Sequence, residues 1–122
     1  MARYRIGLFL LVASCAVLSW ALTASANKTV THTTVTVTAA KPTEFRFTLS
    51  LKKVRHGVVT FKVTNKGNLP HDFKIAGHTT RLLSPQQTQT LKVTFAKAGK
   101  YSYLCTVTGH AAAGMKGTLT VT

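Results

Sequence analysis

The chain has 122 residues, 45% hydrophobic and 15% charged, proportions that suit one compact domain, and a second domain is not expected. Sixteen Lys and Arg stand against two acidic residues, Glu44 and Asp72, for a formal net charge of +14. Two isolated carboxylates exclude paired acid/base catalysis, and cations scattered without interleaved aromatics exclude a nucleic-acid module.

The N-terminus reads as an export signal over residues 1–26. Arg3 and Arg5 give a positive start, Ile6 to Leu22 is an apolar run, and Ala24-Ser25-Ala26 supplies small residues for cleavage. The run is slightly short of a membrane span, so the expectation is a cut after Ala26 that leaves a domain over residues 27–122. Two other readings are an uncleaved membrane anchor and a lipidated Cys15, since Val12-Ala13-Ser14-Cys15 resembles a lipoprotein box. Cleavage after Ala26 leaves Cys105 as the single thiol, which excludes an intramolecular disulfide. A lone thiol in an oxidising compartment is a liability unless something occupies it. Cleavage also removes Arg3 and Arg5, leaving 14 basic residues against Glu44 and Asp72, a net charge of +12. Such a field steers the protein toward acidic partners, with weak association at an anionic membrane surface.

From Asn27 onward the apolar residues recur with a period of two. Val35 and Val37 alternate with threonines in the Thr29–Thr38 stretch; Phe45, Phe47, Leu49 and Leu51 follow, then Val59, Phe61 and Val63. Leu91, Val93 and Phe95 repeat the pattern, then Tyr101, Tyr103 and Cys105, then Leu119 and Val121. Turn signals separate the runs at Lys41-Pro42, His56-Gly57, Asn65-Lys66-Gly67-Asn68, Ala76-Gly77, Ser84-Pro85 and Ala98-Gly99-Lys100. The pattern predicts an all-β fold, a Greek-key antiparallel β-sandwich of seven to eight strands.

Near the C-terminus, YLCTVTGHAAAGMKG sets Cys105, His110 and Met115 at even intervals among Ala, Gly, Thr and Val. Cys105 falls on the inward phase of its strand, and Gly109, Gly114 and Gly117 let the loop bend back so that all three donors converge. His71, in NKGNLPHDF, is placed to reach the same rim. Two imidazoles, a thiolate and a weak axial thioether form the ligand set of a blue-copper electron-transfer site. His32, His56 and His78 sit in polar strand or turn settings and are expected to be exposed.

These segments resemble the cupredoxin family, in particular its small plastocyanin-like, azurin-like and pseudoazurin-like members. The resemblance rests on KYSYLC, GHxxxGMxG, NxGxxPHDF and the Lys-Val-Thr-Phe strand followed by Ala-Gly-Lys, and it covers nearly all of residues 27–122. It implies that His71, Cys105, His110 and Met115 bind one type 1 copper ion in an exported electron carrier that is not an enzyme. The alternative is a copper-delivery protein that does not use the redox step. It further implies an apolar docking patch around His110, to which Ala111, Ala112, Ala113, Leu69 and Pro70 would contribute, with Lys66, Lys74 and Lys116 as a basic rim for an acidic redox protein. The carrier is expected to be a monomer. Many relatives place Asn after the first ligand histidine, whereas this chain has Asp72, which when ionised can only accept hydrogen bonds.

Overall fold

The structure, a computed structural model, describes residues 29–122; the expected leader and its cleavage point lie outside the described residues. Nine strands follow in chain order: β1 (His32–Ala39), β2 (Phe47–Leu49), β3 (Lys53–Val54), β4 (Gly57–Asn65), β5 (Lys74–Ile75), β6 (His78–Thr79), β7 (Thr88–Phe95), β8 (Gly99–Leu104) and β9 (Lys116–Val121). They form two sheets, ordered β2-β1-β4-β7 and β3-β9-β8-β5-β6. The all-β sandwich expected from the period-two pattern is what the chain adopts, with three two-residue strands bringing the number to nine.

The inward residues are those the alternation picks out. Val35, Val37, Val59, Phe61, Val63, Val93, Phe95, Leu119 and Val121 are buried, while the threonines and lysines between them stay wet or half-covered. Aromatic rings lock the two sheets together: Phe61 of β4 lies 5.4 Å from Phe73, which also meets Phe47 edge-on at 5.3 Å. Each such ring contributes about 1.5–3 kcal/mol by leaving water.

Two pairings are parallel rather than antiparallel, β1 with β4 and β3 with β9. Periodicity reports which face a residue takes, not which neighbour its strand finds. Here β2 turns back on β1 by an antiparallel pairing, β3 then crosses to the other sheet, and β4 returns in the direction of β1. β2 is also shorter than the Phe45–Leu51 alternation suggests. Ser50 ends its ladder, its amide bonding the Thr36 carbonyl and its hydroxyl accepting from the Thr36 amide, and Leu51 is left exposed.

The register Ala39↔Asn65 brings β1 and β4 to a common end. Beyond it lie the β1–β2 loop, the loop leading to His71, and the end of β8 just before Cys105. Three loops thus open from one rim of the sandwich.

Candidate metal centre

Asn65 builds the first ligand loop. It is fully buried, donates from Nδ2 to the carbonyls of Leu69 and Leu83 (both 2.8 Å), and accepts from the Gly67 amide. His71 then pairs with Leu83 through reciprocal backbone bonds of 3.0 and 2.8 Å, which fixes the backbone from which its ring projects.

The second loop is braced through the candidate ligands themselves. The Cys105 amide donates to the Met115 carbonyl, the Met115 amide to the His110 carbonyl, and the His110 amide to the Val107 carbonyl, each at 3.0 Å. Gly109 (φ 83°) and Gly114 (φ 113°) take backbone conformations that L side chains rarely adopt, which permits the tight return. Cys105 and Met115 are both buried and pack with Ala39 and Phe45.

Three of the four expected donors, His71, Cys105 and His110, come together. His71 Nδ1 and His110 Nδ1 are 3.1 Å apart, and Cys105 Sγ lies 3.9 Å from the first and 3.5 Å from the second. Donors that share one small ion, each at roughly 2 Å, stand about this far apart. His71 presents its other nitrogen, Nε2, to Glu44 Oε1 at 2.9 Å; facing a carboxylate, Nε2 carries the proton and Nδ1 keeps its lone pair for a metal. The donor set is two imidazole nitrogens and one sulfur in a buried pocket, with the thioether of Met115 held beside Cys105. Soft sulfur with imidazole fits copper, and thioether is a poor ligand for zinc.

Burial sets the ionisation of the donors. It pushes the Cys105 thiol up, and it holds His110 below the ordinary imidazole value, reinforced by the neighbouring His71. Both imidazole and thiol are thereby kept neutral in the metal-free protein near neutral pH.

A profile described as copper binding proteins of the plastocyanin/azurin family matches residues 19–122. The chain belongs to that family. Its cofactor is copper, one ion per chain. Among solved structures it is similar to auracyanin B, at 25% identity and a TM-score of 0.67, over 79% of this chain and 92% of that one. Auracyanin A from Chloroflexus aurantiacus, described as a "blue" copper protein, shares the fold at 20% identity and TM-score 0.63, over 75% of this chain and 100% of its own. Rusticyanin from Thiobacillus ferrooxidans does so at 22% and 0.62, over 74% and 77%. No curated protein matches the chain in sequence.

The two carboxylates of this cupredoxin take roles that the sequence left open. Asp72 ties the ligand loops together as an acceptor alone, receiving the Thr106 amide at 2.6 Å and the Thr106 hydroxyl. Glu44, which looks isolated in sequence, meets His71 across 27 positions. No local pattern announces that contact; the Gly-containing turn at Asn65–Asn68 was the one hint that something must approach the backbone there. His32, His56 and His78 are exposed and take no part in the cluster.

Proposed function

We propose that the protein is an exported, monomeric electron carrier in which His71, Cys105, His110 and Met115 hold one copper ion. The observation that carries this reading is the convergence of the two Nδ1 atoms and the Cys105 sulfur within 4.8 Å of one another in a buried pocket. When bound, copper supplies a one-electron couple between Cu(II) and Cu(I). The chain contributes rigidity: each ligand of the Cys105–Met115 loop is bonded through its backbone to another part of that loop, so the donors move little when the charge changes. Met115, buried with Cys105, would offer a thioether as a weaker donor through which the potential would be tuned.

His110 is the imidazole nearer the surface, 9% exposed against 0% for His71, and is the exit for the electron. Leu69, Pro70 and Ala112 are exposed beside the ligand loops, a small apolar patch suited to a transient partner. Around it Lys66, Lys74 and Lys116 are exposed, which favours an acidic redox protein, and the same charge supports weak association with an anionic membrane surface. The outer faces of both sheets carry Thr and Lys, in keeping with a monomer. Both carboxylates are taken up in holding ligand loops, which leaves neither free for acid/base catalysis. Residues 1–26 support export.

Adding Cu(II) to the purified mature protein tests the reading. An intense visible thiolate-to-copper band with small parallel hyperfine splitting in EPR is the expected result. A colourless protein that binds only Cu(I) would instead mark a copper-delivery role.

A further inference from the structure

Three consecutive residues of the β1–β2 loop each touch a different part of the centre. Glu44 Oε1 meets His71 Nε2 at 2.9 Å. Phe45 sets its ring against His110, centroids 5.0 Å apart and planes at 65°. Arg46 Nη1 donates to the Ala113 carbonyl at 3.1 Å and fills the space that Gly114 leaves by lacking a side chain. A loop that carries no ligand therefore closes over the two that do.

Glu44 is the member of this trio with the most elaborate seat. Its carboxylate accepts the Asn68 amide at 3.0 Å and the Leu69 amide at 2.9 Å, both from the loop that leads to His71. A Cβ on Gly67 would collide with Glu44 Oε1 and with the Ala40 methyl, so only glycine leaves room for the carboxylate. Asn65 anchors that glycine by accepting its amide. The turn is folded around a carboxylate, and the carboxylate is aimed at the far nitrogen of a ligand. Two backbone amides and His71 Nε2 thus converge on one carboxylate, an arrangement of donors that suits its charged form.

We infer that Glu44 is a positioning residue of the copper centre: it fixes His71 with Nδ1 toward the metal and lowers the reduction potential by favouring Cu(II). This rests on the copper-carrier reading above. The physical reason is twofold. Accepting the Nε2 proton's hydrogen bond locks the ring orientation and makes Nδ1 a stronger donor, as outer carboxylates do for metal-bound histidines generally. A negative charge one imidazole away also attracts the doubly charged ion more than the singly charged one, and burial of the ring limits screening. A side chain that merely staples two loops would do neither.

Two variants separate these effects, with copper affinities and midpoint potentials measured beside the wild type. Glu44→Gln keeps an oxygen acceptor for Nε2 but removes the charge. It should weaken Cu(II) binding about tenfold with Cu(I) affinity little changed, which for a one-electron couple raises the potential by about 59 mV. Glu44→Ala removes the acceptor too, and should weaken both ions by about 10–100-fold and broaden the EPR signal as the ring loses its fixed orientation. If the wild type shows the blue band while Glu44→Gln keeps its potential and its Cu(II) affinity, the role assigned to Glu44 is wrong and the carrier reading survives. A wild type without the band ends both. Thermal melts of the metal-free proteins guard against misfolding: a Glu44→Gln chain that melts with the wild type yet shifts in potential supports the inference, and one that melts early with no shift overturns it.

Discussion

At the scale of single residues, two of the donors, Cys105 and His110, are kept neutral by burial until copper arrives. Cys105 is held as a thiol by burial, since its charged form would lose hydration without a cation to replace it. Copper binds the thiolate, so loading the site near neutral pH expels the Cys105 proton. The sign follows directly. The metal-free state holds one more proton than the copper-bound state wherever the pH lies below the raised thiol value, so affinity increases with pH across that range, by about tenfold per unit for one proton. His110 does not add to this slope near neutrality, because burial and the neighbouring His71 lower its value and keep it unprotonated. Calorimetric titration of the metal-free protein with Cu(I) near pH 7, repeated in buffers of different ionisation enthalpy, should report about one proton released per copper. Release of none would mean that Cys105 is already a thiolate or does not bind.

At the scale of elements, the site is legible where donors lie close in sequence and illegible where loops meet. Cys105, His110 and Met115 are readable because a strand phase and two glycines, Gly109 and Gly114, confine them to one short loop, whereas Gly117, also expected to bend it, lies in β9; His71 is readable because its turn announces it. The strands β1, β4, β7, β8 and β9 are readable because one buried face imposes alternation. Strand direction, the two-residue strands and the contact between Glu44 and His71 are not, because they depend on how the chain returns between sheets. Asn65 shows how much hangs on such a junction: from the end of β4 it secures Gly67, Leu69 and Leu83 at once. Asn65→Ala strips the Gly67 amide and the Leu69 carbonyl of their partner inside the protein. The expected loss is about 1–3 kcal/mol of unfolding free energy, read from urea denaturation of the metal-free protein. Copper affinity should fall with it, since the same turn seats Glu44. An unchanged denaturation midpoint would show that the loop is held by other contacts.

At the scale of the whole molecule, charge is sorted by depth. The two carboxylates, Glu44 and Asp72, are engaged with His71 and Thr106 beside the donors, and neither pairs with a lysine or arginine among the described residues. The lysines and arginines among those residues therefore face solvent without a carboxylate partner. Near the copper end the register places Lys74, Leu104 and Lys116 in one row across three strands, with the two ammonium-bearing residues two strand spacings, roughly 10 Å, apart. Arg46 adds a further cation where it bonds Ala113. On the carrier reading proposed above, a redox partner approaching His110 would meet a positive rim, and the encounter rate should depend on salt. The copper-loaded protein, reduced and mixed in a stopped-flow instrument with anionic hexacyanoferrate(III), should react at a rate that falls as ionic strength rises from about 0.01 to about 0.15 M, where the screening length shrinks from about 30 to about 8 Å. A cationic cobalt phenanthroline oxidant should show the opposite slope, because the same rim repels it and salt relieves the repulsion. Equal slopes for the two oxidants would mean that the electron leaves through a part of the surface that this charge does not reach.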